Sequence, residues 1–69
     1  MDIKFKTVEV GEVFFETFLK DGMDAAKAAA TQKAREHRAA LKVLAMKGKQ
    51  VSDQLASVDS DLVTLVQMA

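Results

Sequence analysis

The chain has 69 residues, ten acidic and ten basic side chains, one histidine and no cysteine. That length holds one domain at most, near the lower edge of what folds alone, and the absent cysteine excludes a disulfide framework and a thiolate metal site. His37 leaves carboxylates as the only other good metal ligands, and no loop has the alternating Asp/Asn pattern with a Gly and a closing Glu that calcium needs.

Residues 3–10, Ile-Lys-Phe-Lys-Thr-Val-Glu-Val, begin by alternating and are rich in β-formers. Ile3 and Phe5 fall on one face and Lys4 and Lys6 on the other, which predicts a short strand or extended arm within residues 1–11. No second strand is visible in the chain, so this one would pair with its copy in another subunit or remain an arm. Residues 12–21 then read as a short helix, with Phe14 and Phe18 four apart and Phe15 and Leu19 four apart. The two pairs point about 100° away from each other, so one is expected to pack inside while the other stays near the surface. Asp21-Gly22 supplies the stop.

Asp24 is placed to cap the next helix, predicted over 24–47, which lacks Pro and Gly and is dominated by strong helix formers. Its length would be roughly 35 Å at about 1.5 Å per residue. Gly48 ends it between Lys47 and Lys49. A last helix is predicted over 50–69, because Val51, Leu55, Val58, Leu62, Leu65 and Ala69 step by four and three in the manner of a coiled-coil seam. The long helix carries a matching stripe of smaller residues: Met23, Ala26, Ala30, Ala34, His37, Leu41 and Leu44. Joined at Gly48, the two would form an antiparallel hairpin, with Leu41 and Leu44 meeting Val51 and Leu55, and Leu62 and Leu65 lying over Ala30 and Ala34. The expected fold is therefore mostly α, a single helical domain spanning 1–69.

Such a hairpin leaves Val63, Val66 and Met68 beside the seam and four phenylalanines in need of cover. One small core rarely supplies more than about 3–5 kcal/mol, and with disulfide and metal excluded, the staple that remains is oligomerisation or a partner. A homodimer burying Phe14, Phe15, Phe18, Leu19, Leu62, Leu65 and Val66, in whole or in part, is the economical arrangement.

Charge is segregated along the chain. Residues 1–24 are net acidic, residues 25–50 carry seven cations against Glu36 alone, and residues 51–69 carry only Asp53, Asp59 and Asp61. Either packed helices neutralise one another, or the middle offers a basic surface to nucleic acid or an acidic protein. Lys27, Arg35, Arg38 and Lys42 share one sector of the long helix, and Lys49 continues it. A solvated face and a phosphate-binding rail both fit that stripe.

No catalytic set emerges, and no enzyme, cofactor or metal is expected. His37 has no nucleophile or orienting acid at triad-like positions, and reads as a hydrogen-bonded core-edge histidine or as a pH switch. Ser52-Asp53 and Ser60-Asp61 look like capping or turn chemistry, and Glu12 and Glu16 like a solvated face. The first six residues lack an apolar stretch with a cleavage site, and the longest uncharged run, 62–69, is far short of the ~20 residues of a membrane span. A cytoplasmic location without membrane contact is the expectation.

The order of a short strand with outward Lys4 and Lys6, a short helix, Gly22 and a second helix, over roughly residues 2–44, resembles the ribbon-helix-helix DNA-binding dimers. The resemblance implies paired strands entering the major groove. Three functions follow from these readings. The first is a small protein-binding module, an adaptor, inhibitor or regulator acting as a homo-oligomer. The others are a dimeric repressor or antitoxin of ribbon-helix-helix type and a repeating subunit of a virion or filament.

Overall fold

Thr7, Val10, Phe14 and Phe18 step by three and four residues, the spacing of one helical face. In the computed structural model, which describes residues 4–68, that face is a helix, α1, spanning Val8–Asp21. Two further helices follow, α2 over Met23–Met46 and α3 over Ser52–Gln67. The chain is mostly helical, measures 39 × 18 × 17 Å, and no described helix is long and apolar enough to cross a membrane.

Gly22 makes the first corner alone. Its φ of 90° and ψ of −175° lie in a region essentially reserved for glycine, and its N–H donates to the Phe18 carbonyl at 3.1 Å. Its own carbonyl accepts the Ala26 N–H at 3.0 Å, so one residue ends α1 and starts α2. Counting outward from this corner by four, eight and twelve pairs Phe18, Phe14 and Val10 with Ala26, Ala30 and Ala34. Val10, Phe14 and the three alanines are all fully buried, so large side chains of α1 occupy the shallow stripe of α2. Folding α1 back in this way brings Lys6 and Thr7 into one cavity wall with His37.

The second corner is longer. Lys49 donates its N–H to the Leu44 carbonyl and Gly48 to that of Ala45, each at 3.0 Å, a Schellman closure with Gly48 at φ 83°. Residues 47–51 then lead into α3, whose Val58 and Leu65 join Leu41, Val51 and the α1 residues in one core.

Four sequence expectations change. The alanine stripe, expected to receive Leu62 and Leu65 of α3, instead faces Val10 and Phe14 of α1, and Leu62 lies beside Arg35 and Ala39. The strand over 3–10 is not formed: Val8, Glu9 and Val10 lie in α1, and no strand occurs among the described residues, with Ile3 outside them. Burial of Val10 outweighs the β-propensity of the segment, a case of packing overriding local preference. Asp24 does not cap α2, since Gly22 holds the cap position; Asp24 sits in the first turn, 3.9 Å from Lys27. Leu44, assigned to the buried stripe by its spacing, is 39% exposed because α2 outruns its cover at that end.

Candidate functional site

The start of α1 is held from far along the chain. Asp61 of α3 accepts the Lys6 N–H at 2.7 Å through Oδ1 and the Thr7 N–H at 2.8 Å through Oδ2. No side chain caps the first turn of α1 from within; Asp61 instead pairs the amide of the N-cap residue Thr7, as the acid of a capping box does, and that of Lys6 before it. Asp61 is 1% exposed, and its charge sits where the helix dipole favours an anion. Asp61 thus ties down a helix other than its own, while Ser60 contributes only its backbone carbonyl, which accepts from Thr64 within α3. The signal for Asp61 was an acid on an apolar stripe, Val58, Asp61 and Leu65 stepping by three and four. Ser52 makes no side-chain cap either, because Val51 occupies the N-cap of α3.

The phenylalanines divide as their angular offset requires. Phe14 is fully buried, with the rings of Phe5 at 5.1 Å and Phe18 at 6.4 Å, both within the range of favourable aromatic contact. Phe15 is exposed, its ring meeting Phe14 edge-on at 5.4 Å, and Leu19 is 84% exposed. Val8, also exposed, lies with Phe15 and Leu19 in a sector of about 40° on the outside of α1. Glu9, Glu12 and Glu16 form a row of exposed carboxylates beside that apolar line.

Between α2 and α3 lies a groove of about 570 Å³, lined by Arg35, Arg38, Ala39, Lys42, Asp59, Leu62 and Val63. Of the anticipated basic stripe, Arg35, Arg38 and Lys42 therefore converge, while Lys27 pairs with Asp24 and Lys49 lies in the second turn. Arg38 donates through Nε to Asp59 Oδ1 at 2.7 Å. Among the described residues, neither Arg35 nor Lys42 has a carboxylate within 4.0 Å. The groove thus joins a cationic wall to an apolar floor.

The other anticipated interface residues scatter. Leu65 is in the core, Leu62 is half-buried on the groove floor, and Val66 is exposed. Val63, expected from the sequence to lie bare beside the seam, is 56% exposed, and Met46, which the sequence did not single out, is 87% exposed. His37 is half-buried and borders a second cavity of about 260 Å³ with Glu9, Gln54 and Ser57. Its half-buried position fits the core-edge expectation, and its ring makes no hydrogen bond to another described residue. No family model matches this chain, and the searches for similar curated proteins and similar solved structures found no significant match.

Proposed function

We propose that the chain is a protein-binding module that works as a homo-oligomer, an adaptor or regulator without chemistry of its own. The observation that carries this reading is the line of Val8, Phe15 and Leu19 standing bare on α1. Exposed apolar residues are ordinary when scattered. Phe15 and Leu19, however, are neighbours on one face, in line with Val8 and flanked by Glu12 and Glu16, and such a charge-rimmed line suits an interaction surface. The accessible surface of 4797 Å² supports it as well, exceeding the roughly 4,200 Å² typical of a compact monomer of this mass. In this reading α2 and α3 form the antiparallel hairpin that serves as a frame, and the Arg38–Asp59 bond and the shared groove support that arrangement.

Light scattering over a concentration series tests the proposal. Wild type should exceed the monomer mass of 7.5 kDa, and Leu19→Asp should return it to that value with its helical circular dichroism intact. A wild type that remains monomeric throughout the micromolar range refutes the homo-oligomer.

A second reading, nucleic-acid binding, rests on the convergence of Arg35, Arg38 and Lys42 on one groove. With Val8 to Val10 helical, a ribbon of paired strands is not available to carry it. Titration of duplex DNA at physiological salt should give no specific complex. A tight complex weakening steeply with salt would put this reading first.

A further inference from the structure

The two unpartnered surfaces complement each other. The outside of α1 presents a line of apolar groups (Val8, Phe15, Leu19) beside a row of acids (Glu9, Glu12, Glu16). The groove between α2 and α3 presents an apolar floor (Ala39, Leu62, Val63) beside a row of cations (Arg35, Arg38, Lys42). Both charged rows step by three and then four residues, so each spans seven positions, about 10 Å of helix.

We propose that α1 of one copy docks in the α2–α3 groove of a second copy, with its carboxylate row against the cationic row. This rests on the self-association proposed above and names the two surfaces that perform it. The occupant has to come from another molecule. Within one chain, α1 packs by its Val10 and Phe14 face on the alanine stripe of α2, whereas Arg35 and Lys42 lie more than about 80° around that helix from the middle of the stripe.

The charge balance favours the same occupant. Asp59 offsets one of the three groove cations through Arg38, leaving a net of two, and the row of Glu9, Glu12 and Glu16 brings three charges of opposite sign. The apolar lines supply the buried centre, and the rim charges set orientation and the rate of encounter. The two surfaces belong to different parts of the chain, so the contact is heterologous. It closes into a pair when both copies dock reciprocally, and into a ring or filament when they do not.

Charge-reversed variants, examined singly and mixed, test this in solution. Glu12→Lys/Glu16→Lys and Arg35→Glu/Lys42→Glu change exposed side chains only, and circular dichroism should show both folded. Each alone should self-associate about tenfold or more weakly than wild type by sedimentation velocity, and wild-type association should weaken as salt rises. An equimolar mixture should recover the wild-type mass, because the intact groove of one variant meets the intact α1 of the other. If wild type is monomeric, the self-association reading and this docking fall together. If wild type associates and either variant keeps its full mass, or the mixture fails to recover it, the docking is refuted while self-association stands. If a variant loses its helical signal, Glu12→Gln/Glu16→Gln and Arg35→Gln/Lys42→Gln take the same places: each must weaken association and reduce its salt dependence, and a salt dependence unchanged from wild type refutes the docking.

Discussion

The corners at Gly22 and Gly48 are both glycine turns, yet they join their helices in opposite ways. One residue separates α1 from α2, and the helices meet through alanines so closely that Phe14 and Val10 are sealed. Five residues, 47–51, separate α2 from α3, and the residues lining the space between them include Arg35, Arg38, Lys42 and Leu62, larger than alanine. There a groove stays open and Val43, Leu44 and Met46 remain exposed. Linker length and side-chain size at the contact set how near two helices come. In a chain this small, the tight corner holds most of the stabilising packing and the loose one leaves surface for recognition.

The sharpest way to break that contrast is Phe14→Ala. Emptying the fully buried ring site should cost about 3–5 kcal/mol, enough to unfold a domain of this size. Leu44→Ala at the loose corner should shift the urea midpoint little by comparison. An equal loss at both positions would show that the corners share the load.

Asp61→Ala removes the tie between α3 and the start of α1, leaving the Lys6 and Thr7 amides without their acceptor. The expected cost is roughly 1–3 kcal/mol for the buried Thr7 amide and less for the part-buried Lys6 amide, which water can reach. Asp61→Asn, which keeps one carbonyl acceptor, should lose less. Hydrogen exchange at Lys6 and Thr7 should speed up in both variants, and unchanged exchange there would contradict the cap.

The two glycines separate the corners by backbone alone, since a Cβ at either would meet no atom within 4 Å. Gly22→Ala should cost about 1–3 kcal/mol because its φ/ψ pair is nearly closed to side chains. Gly48→Asn should be tolerated better, since asparagine enters the left-handed region more readily than other residues. Thermal melts of the two variants decide this, and a larger loss for Gly48→Asn would reverse the ranking. The smallest effect belongs to Arg38→Ala. Its bond to Asp59 is solvent-exposed and should contribute under about 1 kcal/mol, less still in high salt.

Two elements explain what was readable in advance. The α2 boundaries, expected at 24–47 and found at Met23–Met46, follow from an uninterrupted run of helix formers between two glycines. α1 starts four residues before the expected Glu12, because the strand-like alternation of Ile3 to Phe5 gives way to the helical period of Thr7, Val10 and Phe14. Of the candidate interface residues, angular position separated Phe14 from Phe15 and Leu19 correctly. It could not tell which part of the basic stripe would border a groove, because that depends on where α3 lies.

The sequence by itself determined the helical class, both glycine corners and the angular offset between the Phe14–Phe18 and Phe15–Leu19 pairs. These depend on propensity and on spacing within a few residues, where local sterics decide. Only the tertiary structure decided that Asp61 caps α1, that the alanine stripe faces α1, and that three of five stripe cations border a groove while Lys27 and Lys49 do not. Each of these joins residues distant in the chain. A hydrogen bond across 54 positions leaves no periodic trace, because burial and geometry select its partners after the helices have packed.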